Sequence, residues 1–298
     1  MQNADEGALR RSLARLGAEL EQVASVSAIA PPITPGSPLV LLHPFSMCAD
    51  VWRPVLPLLT REHEVFALNI PGHLGGDPLP ERFVHSVETG VDLLEAKLDA
   101  LGIRQAHIVG NSLGGWFAIE LARRQRALSV VAMAPGGGWE MGSRAHRRLL
   151  RRMQLARVMV NFGGPAAGIL GRYSLLRRLT LGYTVARPEL LTPHDARMFI
   201  HAAWRCTSFN GVVSCMATQA LEEPLHLPCP VRFVWGSADR VLPMRDYAER
   251  WRRALPQADW VVLPDVGHVQ MHDDPEGVAR SILEITCASG HAHVAAAG

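Results

Sequence analysis

Short apolar runs alternate with longer amphipathic stretches along most of this chain. The runs are rich in Val, Ile, Leu and Phe, as in Leu39-Val40-Leu41-Leu42. Such runs predict buried strands, and the stretches between them place apolar residues at the three- and four-residue spacing of helices. The predicted strands cover residues 39–42, 64–70, 105–109, 129–134, 231–235 and 259–263. The predicted helices cover residues 84–101, 112–125, 244–254 and 275–285. This alternation predicts an α/β fold with a mostly parallel central sheet and helices on both faces.

The alternation stops in the middle of the chain. From residue 138 to residue 220 the pattern is almost wholly helical, with breaks at Gly163-Gly164-Pro165 and at Arg187-Pro188. Strand signals resume afterwards, so this segment is predicted to be a helical cap inserted between two strands of one sheet. Residues 38–137 and 221–286 then form the α/β core.

The ends of the chain carry separate signals. Residues 7–23 contain leucines at helical spacing and a Pro-rich break follows, so residues 1–37 are predicted to be a helix and a lead-in. The Ala-rich residues 287–298 predict a disordered tail. Asp273 and Asp274 precede Pro275 and are predicted to cap the last helix.

Composition is that of a soluble globular protein. Hydrophobic residues make up 48% of the 298 positions and charged residues 19%, and no apolar run reaches the roughly 18 residues that a membrane span requires. The first residues carry acids where a secretory signal carries positive charge, so a cytoplasmic location is expected. The five cysteines are scattered and favour neither a disulfide framework nor a zinc site, so no metal is expected.

Charge is distributed unevenly although the net charge is only +2. Residues 139–215 contain 12 Arg, no Lys and 3 acids, which leaves a balance of −7 for the rest of the chain. A basic segment of this kind indicates either a solvated helical exterior or an anionic substrate or surface. A weak contact with a membrane surface or lipid is therefore an open alternative, whereas no nucleic-acid partner is expected.

A serine lies between glycines where a predicted strand meets a predicted helix. The segment reads Gly110-Asn111-Ser112-Leu113-Gly114-Gly115, the pattern of a sharp turn in which side chains on either flank of the serine would collide with backbone. The turn exposes the hydroxyl at the carboxyl end of the strand, and the N-terminus of the helix points at the reacting oxygen. Ser112 is therefore the candidate nucleophile.

A serine hydroxyl needs a base, and the base needs a group that orients it. Asp239 and His268 follow the predicted strands 231–235 and 259–263, and parallel sheets collect reactive groups at that edge. His268 is predicted to take the proton from Ser112, and Asp239 to hold the imidazole tautomer. Glu140, after the strand that ends at residue 134, is an alternative acid.

The developing oxyanion needs two backbone donors. Leu113, the residue after the nucleophile, is predicted to supply one. The loop after the first strand offers Phe45 as the second, because the preceding Pro44 has no N–H. His43 is predicted to brace this loop.

These motifs resemble the α/β-hydrolase superfamily, in its serine hydrolase branch with a helical cap, over about residues 38–286. The resemblance rests on His43-Pro44-Phe45 in place of a His-Gly-x loop, on the segment around Ser112, on the Gly-x-x-Asp loop of Asp239 and on Gly267-His268. It implies hydrolysis of a small-molecule carboxylic ester or thioester through an acyl-enzyme, without a cofactor. It excludes the epoxide hydrolase and haloalkane dehalogenase branches, which carry aspartate at the position of Ser112.

Several alternatives stay open. The Gly-Asn-Ser-x-Gly-Gly pattern is similar to that of carbon–carbon bond hydrolases of meta-cleavage dienoates, although that branch usually follows its histidine with Trp and this chain has Val269. In that case a cap arginine, Arg187 or Arg197, would hold the substrate carboxylate. Trp139 is a candidate for lining the pocket. Cofactor-free haloperoxidase or perhydrolase activity fits the same triad, and a non-catalytic ligand receptor is the alternative from another class.

Overall fold

Six parallel strands form one sheet in the order β2-β1-β3-β4-β5-β6. The strands are β1 Leu39–Leu42, β2 Val65–Leu68, β3 Ala106–Asn111, β4 Ala127–Met133, β5 Val231–Gly236 and β6 Asp259–Leu263. The computed structural model describes residues 37–223 and 225–296, with side chains up to Cys287. The helix predicted over residues 7–23 lies outside the described residues. The predicted fold class is confirmed.

Eleven α-helices accompany the sheet within the described residues. They are α1 Leu56–Leu59, α2 Val87–Ala100, α3 Leu113–Arg123, α4 Arg144–Gly163, α5 Ala167–Arg172, α6 Ser174–Leu181, α7 Pro193–Arg205, α8 Phe209–Thr218, α9 Met244–Ala254, α10 Gln270–Asp273 and α11 Pro275–Ala296. Short 3-10 turns occur at Ala49–Trp52, Gly164–Ala166 and Pro188–Leu190. Helices α4 to α8 occupy the chain between β4 and β5, where the sequence predicts a helical cap; we call them the helical insertion.

The sheet is buried on both faces. Alternate residues of a strand point to opposite sides, and in β1 Val40 and Leu42 join one apolar cluster whereas Leu39 and Leu41 join another. The first cluster contains α2, α3 and α9, and the second contains α1 and α11. This two-sided burial explains why the strands read as continuous apolar runs in the sequence.

The last helix is longer than predicted. Its backbone continues to Ala296, over most of the segment for which the Ala-rich composition predicts disorder. Alanine has the highest intrinsic helix propensity, so the same composition also extends a helix that tertiary contacts have started. Among the described residues, no helix combines the length and the apolar character needed to cross a bilayer.

Candidate active site

Ser112 lies at a strained corner between β3 and α3. Its backbone has φ 57° and ψ −113°, a combination that L-residues rarely adopt. A Cβ at Gly110 would lie 2.0 Å from the carbonyl oxygen of Gly114, and a Cβ at Gly114 would lie 2.3 Å from that of Leu42. Glycine is therefore required at both positions, and the corner that the sequence predicts is present.

Asp239 and His268 form a buried hydrogen-bonded pair. His268 Nδ1 lies 2.8 Å from Asp239 Oδ2, and the two side chains are 5% and 0% exposed. Asp239 Oδ1 accepts from the backbone N–H groups of Val241 and Leu242, each at 2.8 Å. The carboxylate is thus held on both oxygens, and it orients the imidazole so that Nε2 is left to act as a base.

Asn111 joins the serine corner to the loop of His268. Its Nδ2 donates to the carbonyl of His268 at 3.1 Å and to that of Met133 at 3.0 Å. The Ser112 hydroxyl has no hydrogen-bond partner among the described residues, so its contact with His268 stays a prediction. The sequence analysis assigns no role to Asn111. An amide side chain next to the candidate nucleophile could have indicated a hydrogen bond to a neighbouring loop.

Two backbone donors face no protein acceptor. Within the described residues, neither the N–H of Leu113 nor that of Phe45 donates to another group. The Phe45 ring packs on Phe209 of the insertion, with centroids 4.7 Å apart, which anchors the loop. These two residues are the predicted oxyanion donors, and two backbone donors without another acceptor are what a tetrahedral intermediate requires.

His43 braces the loop that carries Phe45. Its Nε2 accepts from the N–H of Ile70 at 3.0 Å, so Nδ1 carries the proton and donates to the carbonyl of Pro44 at 2.9 Å. Burial, reinforced by the neighbouring His73, lowers the pKa of His43 to about 3. His43 is therefore a neutral structural histidine and not a second base.

His43 and His73 together predict a pH-dependent stability. Burial lowers the pKa of His73 to about 4, whereas a histidine in the unfolded chain titrates near pH 6.5. Below pH 6.5 the unfolded chain therefore binds more protons than the folded chain. The stability that the neutral histidines provide is fully present above that pH and decreases as the pH falls toward 4. We expect a loss of about 2 kcal/mol per histidine between pH 8 and pH 5, measured by urea unfolding.

A pair of variants checks the origin of this effect. His73→Gln should remove the part of the pH dependence that His73 contributes, about 2 kcal/mol, because glutamine does not titrate. His226 is exposed, and His226→Gln should leave the dependence unchanged. An unaltered slope in His73→Gln would show that other groups are responsible.

Asp273 ties the insertion to the loop of His268. Its Oδ2 accepts from the N–H groups of Gly267 and Ala186, each at 2.8 Å, and its Oδ1 accepts from that of Arg187 at 3.1 Å. The prediction that Asp273 caps the last helix is wrong, because these long-range donors take both carboxylate oxygens. Asp274 alone has the predicted role, since its Oδ1 accepts from the N–H of Gly277 at 2.9 Å.

Replacing Asp273 with asparagine should therefore affect both stability and catalysis. The amide nitrogen would face a backbone N–H, and lost hydrogen bonds to a charged group cost about 2–3 kcal/mol of unfolding free energy. Displacement of the His268 loop should lower kcat between about tenfold and a hundredfold. Asp274→Asn is the matched control, because asparagine caps helices as well as aspartate does. An unchanged kcat in Asp273→Asn would restrict Asp273 to a role in folding.

The structure gives the three predicted substrate contacts different surroundings. Trp139 is 2% exposed, donates from Nε1 to the carbonyl of Gln219 at 2.9 Å and stacks on His146, so it belongs to the core and has no face for a ligand. The guanidinium of Arg187 donates to the carbonyl of Asp273. Arg197 is half-buried on α7.

Glu140, the alternative acid, forms an ion pair with a residue other than His268. Glu140 is exposed and its carboxylate bonds to Arg253 at 2.6 Å. That ion pair directs Glu140 away from His268, whose partner is Asp239.

A small apolar cavity lies beside the nucleophile corner. Its volume is about 40 Å³, and its walls include Leu113, Phe117, Ile70, Leu79 and Val212. This is room for about three water-sized groups. The cavity can therefore take a short apolar group next to Leu113.

Known proteins share this architecture. A sequence profile of the alpha/beta hydrolase family matches residues 39–281. The chain is 33% identical over 205 residues to epoxide hydrolase EphH of Mycobacterium tuberculosis, a match that covers 66% of this chain and 94% of EphH. It superposes on a membrane phospholipase A, a bacterial virulence factor, with a TM-score of 0.69 and 23% identity over 97% of this chain and 96% of the other. It also superposes on a thermophilic esterase from Thermogutta terrifontis with a TM-score of 0.67 and 21% identity, over 89% and 98% of the two chains.

Proposed function

Because the chain belongs to the alpha/beta hydrolase family, we propose that it hydrolyses a carboxylic ester or thioester through an acyl-enzyme on Ser112. The observation that carries the proposal is the buried Asp239–His268 pair, whose loop is bonded through Asn111 to the corner that holds Ser112. A base oriented in this way serves a serine nucleophile.

The chemistry follows from the positions of these groups. His268 Nε2 takes the proton of Ser112 as its oxygen attacks the carbonyl carbon, and the N–H groups of Leu113 and Phe45 stabilise the negative oxygen. His268 then gives the proton to the departing alcohol or thiol, which leaves the acyl group on Ser112. A water molecule, deprotonated by His268, attacks the acyl carbon, and His268 returns that proton to the Ser112 oxygen as the acid is released.

Epoxide opening is less consistent with this site, despite the name of EphH. Attack of a serine oxygen on an epoxide carbon would form an ether, which water does not hydrolyse under enzyme conditions. Attack by a carboxylate would form an ester, which water does cleave. Because the residue at the strained corner is a serine, Ser112, the residues present support turnover of acyl compounds.

Carbon–carbon bond hydrolysis has weaker support than the ester reaction. It requires a cation to hold the substrate carboxylate, and the guanidinium of Arg187 already donates to the carbonyl of Asp273. The apolar cavity that Leu113 helps to line has room for a short uncharged group. We therefore favour a simple acyl substrate with a short apolar chain.

A substrate panel tests the proposal. Purified protein is assayed with acetyl, butyryl and octanoyl esters of p-nitrophenol, a butyryl thioester, styrene oxide and a ring-cleavage dienoate, with the Ser112→Ala variant as background. We expect turnover of the acetyl and butyryl compounds above that of the octanoyl ester. Serine-dependent turnover of the dienoate alone, or of styrene oxide alone, would overturn the proposal.

A further inference from the structure

The outward face of α4 changes from cationic to apolar along its length. The inner face packs Leu149 against the core, with Met153, Ala156 and Val160 partly buried beside it. On the outer face, residues at three- and four-residue spacing belong to one stripe. Its first half carries Arg144, Arg148 and Arg151, and its second half carries Leu155, Val158, Met159 and Phe162. Phe162 is 83% exposed, so half of this stripe presents apolar groups to water.

The apolar exposure continues into the next two helices. The side chains concerned are Ile169, Tyr173, Leu175 and Leu179. With the four on α4 they make eight of the thirteen large apolar side chains that are exposed within the described residues, and all eight fall within residues 155–179. We call these eight residues the apolar outer surface. Such concentration is unusual for a protein surface that meets only water and marks a binding surface.

The chain segment that carries this surface contains charges of one sign. Between Glu140 and Glu189 the chain contains ten Arg and no acidic residue. Among the described residues, Arg144, Arg151 and Arg178 form no ion pair, and Arg148 lies 3.9 Å from its nearest acid, Asp246. By contrast, on the core Arg126 lies 2.7 Å from Asp99 and 3.3 Å from Glu95.

An apolar surface can bind a second copy of the chain or a lipid bilayer, and the positive charge of this segment distinguishes between the two. A second copy of the chain would bring the unpaired arginines of α4 and α6 against those of the first copy, and like charges repel. An anionic lipid bilayer accepts both components, because leucine and phenylalanine enter the boundary between headgroups and acyl chains while arginines meet phosphates. We propose that the apolar outer surface docks the protein on an anionic membrane, with the unpaired arginines of α4 and α6 on the lipid phosphates.

The docked surface belongs to the part of the chain that contacts the catalytic loops. Arg240, next to Asp239, donates to the carbonyl of Gly182 at 2.7 Å, and Val269, next to His268, donates to that of Thr184 at 2.9 Å. The insertion therefore lies over the sheet edge that carries Ser112. Docking through its outer surface places this edge toward the lipid.

Vesicle binding of the full chain tests the proposal and does not depend on activity. Co-sedimentation is measured with phosphatidylcholine vesicles and with vesicles that also contain phosphatidylglycerol. We expect binding to be at least about tenfold tighter to the anionic vesicles and to weaken with added salt. The doubly substituted Leu155→Gln, Phe162→Gln variant should bind at least about tenfold more weakly. The Arg144→Gln, Arg151→Gln variant should lose about thirtyfold at low salt.

Matched controls come from exposed residues outside the insertion. Val84 and Val262 are exposed apolar residues, and Arg61 and Arg82 are exposed arginines; their glutamine variants should bind vesicles as the wild type does. Every variant should keep the wild-type midpoint of urea unfolding, which shows that the fold is intact. The proposal is overturned by equal binding to the two vesicle types, by no binding, or by unchanged binding in the insertion variants. A wild-type dimer that the Leu155→Gln, Phe162→Gln variant dissociates would also overturn it.

Discussion

Replacing Ser112 with alanine is expected to lower kcat on a butyryl ester by about 10⁵-fold or more. In the proposed mechanism the Ser112 hydroxyl forms the covalent bond to the acyl group, and alanine fits the same volume. The residual rate reflects the two backbone donors of Leu113 and Phe45, which remain in place. Ester hydrolysis is measured under saturating substrate, and covalent labelling with a fluorophosphonate is measured on folded protein.

A second serine provides the control for this experiment. Ser214 is exposed on α8, so Ser214→Ala should keep wild-type activity and wild-type labelling. We expect the fluorophosphonate to label the wild type at Ser112 and to leave Ser112→Ala unlabelled. Retention of activity in Ser112→Ala would show that the nucleophile is another residue or that water attacks directly.

Replacing Asp239 with asparagine should lower kcat by about 10⁴-fold while the fold is kept. The position of each amide atom follows from the hydrogen bonds. Two backbone N–H groups point at Oδ1, so the asparagine oxygen must take that place and its NH₂ must face His268. An NH₂ donates to Nδ1, which moves the imidazole proton to Nε2, and His268 then cannot accept the proton of Ser112.

An exposed aspartate near the same loops provides the matched control. Asp265 is exposed and has φ 57°, a backbone conformation that asparagine also adopts readily. Asp265→Asn should therefore retain wild-type kcat. A loss of less than about tenfold in Asp239→Asn would show that another carboxylate orients His268.

Much of the fold was predictable from local sequence. The bounds of β1, β6 and α9 coincide with the predicted ones, and the remaining strands differ from the prediction by at most two residues at either end. These strands and helices bury one or both faces in the core, so the spacing of their apolar residues follows from which side chains are packed there. The corner at Ser112 was equally predictable from its glycines, and Gly110 is needed to avoid a collision with the nearby backbone of Gly114. Gly114 is needed for a tertiary reason, because a Cβ there would meet the carbonyl oxygen of Leu42 on β1.

Other features could not be predicted in this way. Trp139 is a plausible pocket residue by composition, yet its partner Gln219 is 80 residues away and fixes it in the core. From the sequence Arg187 is a candidate for holding a substrate carboxylate. Its guanidinium instead donates to the carbonyl of Asp273, which lies 86 residues further along the chain. The N-capping signal at Asp273 and Asp274 is real, but only the fold shows which of the two carboxylates caps the helix.

By itself the sequence determined the order of strands and helices, the serine corner and the candidate acid and base, because each depends on residue types within a short segment. Only the tertiary structure decided that Asp239 faces His268, that Asn111 joins two loops 157 residues apart and that Asp273 holds the insertion. It also decided which side of α4 faces water, and therefore that its leucines and Phe162 form an exposed surface. Spacing along a helix shows which residues share a face, but the direction of that face is set by what packs against it.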